Sequence, residues 1–251
     1  MYINKIVLVT VIACYTAIIF STQKITVKDI HEIYNTCIKS NMNDEYKFRY
    51  SNLPLEKNND FWPWKDKDLP RVIALLEFEK FVKENNISYQ KGLAINGIDP
   101  EWHHLPSKEI THISYETDPI KYDLHSLNLP DKDYDFVMVN QTLEHVYDPI
   151  RCLENIYKHM STGGILYFNV PSNTIPHDTP IHYYTGYTPV GLGVLVKLAG
   201  FKILSIGQWG NSEYLKMMHG TNSWPDYLQF AYPAVNDLEH CPVISWIFAI
   251  K

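Results

Sequence analysis

Three histidines carry side chains that can move a proton near neutral pH: His145, His177 and His182. An imidazole titrates close to neutrality, so His145 and His182 are taken as catalytic candidates. His177, Asp178 and His182 also have a spacing that suits metal ligation, but the pattern alone assigns no metal. The four cysteines, Cys14, Cys37, Cys152 and Cys241, contain no CxxC pair, which argues against a structural zinc site and a thioredoxin-type motif. A Cys37–Cys241 bridge is open to a lumenal chain. Only one glycine, Gly97, stands in the loop Asn96-Gly97-Ile98-Asp99-Pro100-Glu101-Trp102. No GxGxxG is found there, which disfavours a dinucleotide oxidoreductase. Aromatics crowd the second half, among them Tyr183, Tyr184, Tyr187, Trp209 and Trp224, and their flat faces suit a ligand cleft as well as a core.

These groups need a scaffold, and the hydrophobic pattern from Pro70 onward supplies one. Val72, Leu75, Phe78 and Val82 share a helical face. Short apolar runs at 92–96, 110–115, 134–139 and 165–170 read as strands. Between the last two, Asp148 caps a helix that starts at Pro149 and buries Cys152, Leu153, Ile156, Tyr157 and Met160, with Gly163-Gly164 expected to stop it. Thr188 and Pro189 open another helix that Gly200 ends. Strands follow at 201–206 and 243–250. Strands alternating with helices of this length imply a doubly wound, Rossmann-like α/β sheet. Ligands of such sheets lie beyond the carboxyl ends of the strands, where Asn96 and Asn140 fall.

Residues 127–146, from Leu127-Asn128-Leu129-Pro130-Asp131 through Tyr134-Asp135-Phe136 to Leu143-Glu144-His145-Val146, join an acidic turn, a buried strand and a polar strand end. This stretch resembles the class I S-adenosylmethionine-dependent methyltransferases of the type 11 kind. Gly163–Pro171, His182–Leu192 and Gly200-Phe201 resemble later segments of the same family in the same order. The resemblance implies a mostly parallel sheet with an antiparallel last strand. It is somewhat reduced, because the segment between the first and fourth strands of the usual fold is short here.

The resemblance also implies S-adenosylmethionine as cofactor and a small-molecule or glycan acceptor. Such a cofactor needs close backbone approach to its methionine portion, an acid on its ribose hydroxyls and polar contact with its adenine. Asn96 and Gly97 stand where the first is expected, Glu116 or Asp118 where the second is, and Asp123 and Leu124 where the third is, with Asn140 at the central strand end. His145 belongs to the family's Leu-Glu-His turn, and His177 and His182 to the loop that shapes the acceptor pocket. The loop at Asn96-Gly97 departs from the family's glycine-rich pattern. That departure motivates an alternative, a catalytically inactive methyltransferase-fold binding or scaffold protein.

A formal charge of -6 without a Lys/Arg-dense stretch argues against nucleic acid as main partner. Ile6–Phe20 is apolar and uncharged over about 15 residues, the length of a signal-peptide core or a short anchor. The chain therefore divides into 1–22 as signal anchor or signal peptide, 23–69 as an N-terminal extension and 70–251 as the methyltransferase-like domain. The expected location is the membrane of the secretory pathway, or outside the cell. Asn86-Ile87-Ser88 is a glycosylation sequon, and Asn140-Gln141-Thr142 is expected to be buried.

Overall fold

The computed structural model describes residues 24–51, 67–97, 101, 105–130, 132–230 and 233–251. The apolar run Ile6–Phe20, the aromatic stretch 58–64 (Asn58-Asn59-Asp60-Phe61-Trp62-Pro63-Trp64), Pro100 and Trp102 lie outside the described residues. Among the described residues no helix is long and apolar enough to cross a membrane.

One sheet of six strands organises the chain: β1 (Tyr89–Asn96), β2 (Ser107–Ile113), β3 (Tyr134–Asn140), β4 (Met160–Pro171), β5 (Lys202–Trp209) and β6 (Ile244–Ile250), in the order β2-β1-β3-β4-β6-β5. β2, β1, β3 and β4 run parallel, and β6 is antiparallel to both β4 and β5. The expected doubly wound sheet with an antiparallel last strand is therefore present. Between β2 and β3 the described chain forms only a short 3-10 turn, Leu124–Ser126, in keeping with the reduced fold.

The period-2 alternation of the strands sorts side chains onto two faces. Val137, Val139, Leu166, Phe168 and Val170 point to one face, which α4 (Pro149–Lys158) and α5 (Pro189–Leu198) cover with Leu153, Ile156, Leu192 and Val196. Phe136, Met138, Ile165 and Tyr167 point to the other, covered by α3 (Leu69–Glu84) through Ile73, Ala74 and Phe78. There Phe78 meets Phe136 edge-on and Tyr167 at a tilt, with centroids 5.9 and 4.8 Å away. The Tyr167 hydroxyl donates to the Ala74 carbonyl at 2.8 Å, so helix and sheet are tied by a buried polar bond as well as by packing.

Two helix starts follow the sequence closely. Asp148 accepts from the Arg151 amide and Thr188 from the Gly191 amide, each followed by proline in the first turn. Gly163-Gly164 requires a correction. α4 ends at Lys158 with His159 as its cap, and both glycines lie inside β4. Gly163 has φ +82°, and a Cβ on Gly164 would stand 3.0–3.1 Å from the carbonyls of Ser161, Asp135 and Tyr134. The pair lets β4 pass a register shift against β3 between Tyr134 and Phe136. Met160 accordingly belongs to the strand and not to the helix.

The extension shares the core of the domain. α1 (Val27–Glu32) runs into a π-helical segment, Ile33–Ile38, whose Ile33 and Ile38 are buried with the α5 residues. Asn41 Nδ2 donates to the Ile206 carbonyl at 2.7 Å. Behind α2 (Asp44–Phe48), the Tyr46 hydroxyl donates to the Gln208 carbonyl and accepts from its amide. α6 (Ser212–Thr221), not anticipated from sequence, is capped by Asn211 and packs Tyr214 and Met218 with the α3 side of the core. Cys37, Cys152 and Cys241 are free thiols, so the Cys37–Cys241 bridge is not formed. Asn140 is buried, as expected for the second sequon.

Candidate functional site

The carboxyl ends of β1 and β3 open into a cavity of about 750 Å3. Its edge begins where β1 stops. Asn96 and Gly97 both take left-handed backbone, φ +54° and +79°. Gly97 also lies under neighbouring side chains: a Cβ there would stand 3.1 Å from Glu101 Oε2 and 3.3 Å from Asn140 Nδ2. The single glycine of this loop is therefore required by both conformation and space. Asn96 Nδ2 donates to Thr142 Oγ1 at 3.0 Å, and Thr142 Oγ1 donates to the Asn140 carbonyl at 2.8 Å. The two strand ends are thus cross-braced.

Beneath them runs a buried polar chain. Asn140 Nδ2 donates to Glu101 Oε2 (3.4 Å), Asn169 Nδ2 donates to Asn140 Oδ1 (2.7 Å), and Gln141 Nε2 donates to Asn169 Oδ1 (2.7 Å). Arg71, from the first turn of α3, holds Glu101 through Nε and through a second nitrogen at 3.1 Å. Glu101 is fully buried, so its pairing with the guanidinium is what makes the burial tolerable. Burial raises the carboxyl of the adjacent Asp68 above its ordinary value.

Asp123 stands on another part of the lining and is held by His125. Its Oδ1 accepts from the His125 amide at 3.0 Å and meets His125 Nδ1 at 2.7 Å. The Asp148 amide donates to His125 Nε2 at 3.3 Å, which leaves Nδ1 as the proton-bearing nitrogen. Burial works to raise Asp123, but the His125 hydrogen bonds outweigh it and hold the carboxyl below the usual range. Tyr147 stacks on the His125 ring at 3.8 Å and 9°, an exposed flat surface beside Asp123 and Leu124.

Of the two acids after β2, Glu116 lines the cavity and Asp118 does not. Asp118 Oδ1 instead accepts from the Lys121 amide, closing the local turn. Asn96, Gly97, Asp123, Leu124, Asn140 and His145 also line the cavity, and His182 lies just behind its wall beside His145.

The loop between β4 and α5 brings the histidines together. Its ends are clasped by Thr174 N to Thr185 O at 2.9 Å and Tyr187 N to Pro171 O at 2.8 Å. A Cβ on Gly186 would stand 2.2 Å from the Ser172 carbonyl, so only glycine permits that clasp. The Tyr183 and Tyr184 amides then donate to the Glu144 carbonyl, docking the loop on the Leu143–His145 turn. The result sets the rings of His145, His177 and His182 at centroid separations of 4.8, 5.4 and 4.5 Å. Burial, chiefly, lowers His145 and His182 below the ordinary imidazole value.

Several residues of the site were not singled out from sequence: Arg71, Glu101, Glu144 and His125. Glu144 is the most exceptional. It is 1% exposed, lines the cavity, and neither carboxylate oxygen has a hydrogen-bond partner. Burial pushes its carboxyl up to about 8. An acid set between Leu143 and His145 in the Leu143–Val146 turn was the available signal.

The charge of the lining follows from these residues. Among the described lining residues, Asp68, Glu116, Asp123, Glu144 and Asp178 face Arg71 as the lone Lys or Arg.

A family model described as "Methyltransferase domain" matches residues 78–245. The chain belongs to this methyltransferase family. No curated protein matches it. Among solved structures it is similar to an S-adenosylmethionine-dependent methyltransferase from Archaeoglobus fulgidus, with 18% identity, 72% of this chain and 94% of that one covered, and a TM-score of 0.45. A second, from Aquifex aeolicus, shows 13% identity, coverages of 73% and 94%, and a TM-score of 0.44. A third is the phosphoethanolamine N-methyltransferase 2 of Haemonchus contortus, solved with phosphomonomethylethanolamine and S-adenosylhomocysteine, at 13% identity, coverages of 70% and 53%, and a TM-score of 0.42.

Proposed function

We propose that the protein transfers a methyl group from S-adenosylmethionine to a small-molecule or glycan acceptor. The observation that carries this reading is the acid-rich cavity at the carboxyl ends of β1 and β3. A sulfonium donor is a cation, and the lining carboxylates Glu116, Asp123 and Asp178 complement it, with Arg71 the one guanidinium among the described lining residues; Glu144, whose carboxyl burial raises to about 8, adds no charge near neutral pH. The volume also fits. Ligand sites commonly measure about 300–1,000 Å3, so this cavity has room for a nucleoside-sized donor with a small acceptor beside it.

Asn96 and Gly97 would hold the methionine portion through close backbone approach, and Glu116 the ribose hydroxyls. Asp123 and Leu124 would hold the adenine, flanked by the exposed ring of Tyr147. Asn140, fixed by Asn169 and Glu101, would keep the central strand end rigid beneath the donor. When bound, the cofactor supplies an electrophilic methyl carbon, and the chain's task is to hold donor and acceptor in line and exclude water. His145 and His182 lie on the acceptor side with His177.

The inactive-scaffold alternative rests on the sparse glycine loop. The left-handed Asn96-Gly97 corner supports activity over it, because close backbone approach is obtained there with one glycine. Calorimetry with S-adenosylhomocysteine tests the reading, followed by transfer of a labelled methyl group to panels of small molecules and glycans. The absence of both heat and thermal shift with S-adenosylhomocysteine would remove it. Binding without transfer to any acceptor would favour the scaffold. Attachment to a membrane through Ile6–Phe20 belongs to the same proposal, and fractionation of cells expressing the full chain and a chain lacking residues 1–22 tests it.

A further inference from the structure

We infer that His145, His177 and His182 form a binding site for one divalent transition-metal ion of the zinc type, at the acceptor side of the cavity. The candidate donor atoms of the three imidazoles all lie within 4.8 Å of one another. Nitrogens at about 2.0–2.1 Å from one tetrahedral zinc stand about 3.4 Å apart, so side-chain movements of about 1–1.5 Å close the trio on an ion.

The hydrogen bonds around the rings favour ligation. His145 Nδ1 meets the Ile181 carbonyl at 3.1 Å, and His177 Nδ1 meets the Ile175 carbonyl at 3.0 Å. A carbonyl only accepts, so in both rings the proton sits on Nδ1 and Nε2 keeps its lone pair. A backbone carbonyl on the far nitrogen is the usual orienting contact of a metal-bound histidine. His182 supplies the third observation: both ring nitrogens are shielded from solvent and neither has a hydrogen-bond partner. A polar atom shielded in this way is costly unless something satisfies it. An ion at the trio satisfies one of the two His182 nitrogens. Two carboxylates are candidates for a further ligand: Glu144 Oε1, also without a hydrogen-bond partner, stands 3.9 Å from His145 Nε2, and Asp178 Oδ2 stands 3.9 Å from His177 Nε2.

Three neutral nitrogens select zinc, cobalt or nickel over magnesium and calcium, which prefer oxygen. Because His145 and His177 line the cavity, the ion would border the space where an acceptor binds. In this arrangement the histidines are ligands, not general bases.

The test uses the full chain freed of metal by a chelator. Titration with Zn2+ by calorimetry, and with Co2+ by visible absorption, is expected to show one equivalent bound, with the intense cobalt bands of a four- or five-coordinate nitrogen site. His182→Ala is expected to weaken binding about a hundredfold or more. His177→Gln, beside the exposed Asp178, serves as second variant should His182→Ala fail to fold, with melting curves reporting the fold. Magnesium is expected to compete for neither. No zinc binding by the full chain overturns the inference, as does binding that both folded variants retain. So does a catalytic rate unchanged by chelation whose pH profile loses a limb in His145→Gln, which marks a general base. Affinity for S-adenosylhomocysteine, measured in the chelated protein, reports separately on the methyltransferase reading.

Discussion

Gly97 turns directly beneath the Asn140 side chain, close enough that one added carbon would stand 3.3 Å from Asn140 Nδ2. The contact joins the end of β1 to the end of β3 where the donor is proposed to bind. Gly97→Ala would combine left-handed strain with that crowding and with pressure on Glu101. The variant is expected to lose about 1–2 kcal/mol of stability and to bind S-adenosylhomocysteine at least about tenfold more weakly, roughly 1.4 kcal/mol. Thermal melting and calorimetry on the same sample read both. An unchanged affinity would separate this corner from the ligand.

The other end of the proposed donor site offers an independent test. Asp123 is kept ionised by His125, so its carboxylate remains an acceptor well into the acidic range. A depressed folded value places the contribution of this carboxylate above the ordinary aspartate pKa, and it is lost as pH falls below that. Asp123→Asn is expected to reduce affinity for S-adenosylhomocysteine about tenfold with a melting temperature little changed at neutral pH, because the group is partly exposed. Adenosine binding should fall in parallel, and methionine binding should not. A loss shared equally by both fragments would relocate the adenine.

These two tests differ in how far the sequence anticipated them. Asp148-Pro149 and Thr188-Pro189 were legible because a cap and its proline act within one turn. β3 was legible because Tyr134–Asn140 is buried almost throughout and ends on a polar residue. Gly163-Gly164 was misread because a glycine pair signals a break in either element, and only the register shift against β3 decides which. Asn96, Gly97 and Asn140 were reachable as strand-end residues, and Asp123 and Leu124 through the family resemblance. Choosing Glu116 over Asp118 required knowing that Asp118 closes a turn with Lys121. Arg71 and Glu101 lie far apart in sequence, and nothing local in either residue announces the pair. The histidine trio has the same origin: His177 and His182 share a loop, but His145 reaches them only because the Tyr183 and Tyr184 amides bind the Glu144 carbonyl.

The Arg71–Glu101 pair at the edge of the cavity predicts a large structural effect that can be read without any ligand. Glu101 is 0% exposed, and Arg71 is its bidentate partner. Arg71→Leu strands a buried carboxylate next to Asp68 and is expected to cost about 3–5 kcal/mol, visible as a lowered urea midpoint with an unchanged slope. The double variant Arg71→Leu/Glu101→Leu is expected to recover much of that loss, since Glu101 is then no longer a buried charge without its partner. A single variant as stable as the parent would show that the pair is not what keeps Glu101 buried.

Glu144 sets how the metal-free protein responds to pH. Its folded pKa is about 8, against the ordinary 4.5, because burial penalises the charged form. Between those values the folded state holds a proton that the unfolded state has lost. Stability therefore falls as pH rises through this window, is fully present below about 4.5, and is lost above about 8. A shift of this size corresponds to an effect on the order of 5 kcal/mol. Glu144→Gln keeps the shape and cannot ionise, so in chelator-containing buffer its melting temperature is expected to match the parent near pH 5 and exceed it at pH 9. Parallel melting curves for the two proteins from pH 5 to pH 9 would show that the Glu144 carboxyl titrates at its ordinary value.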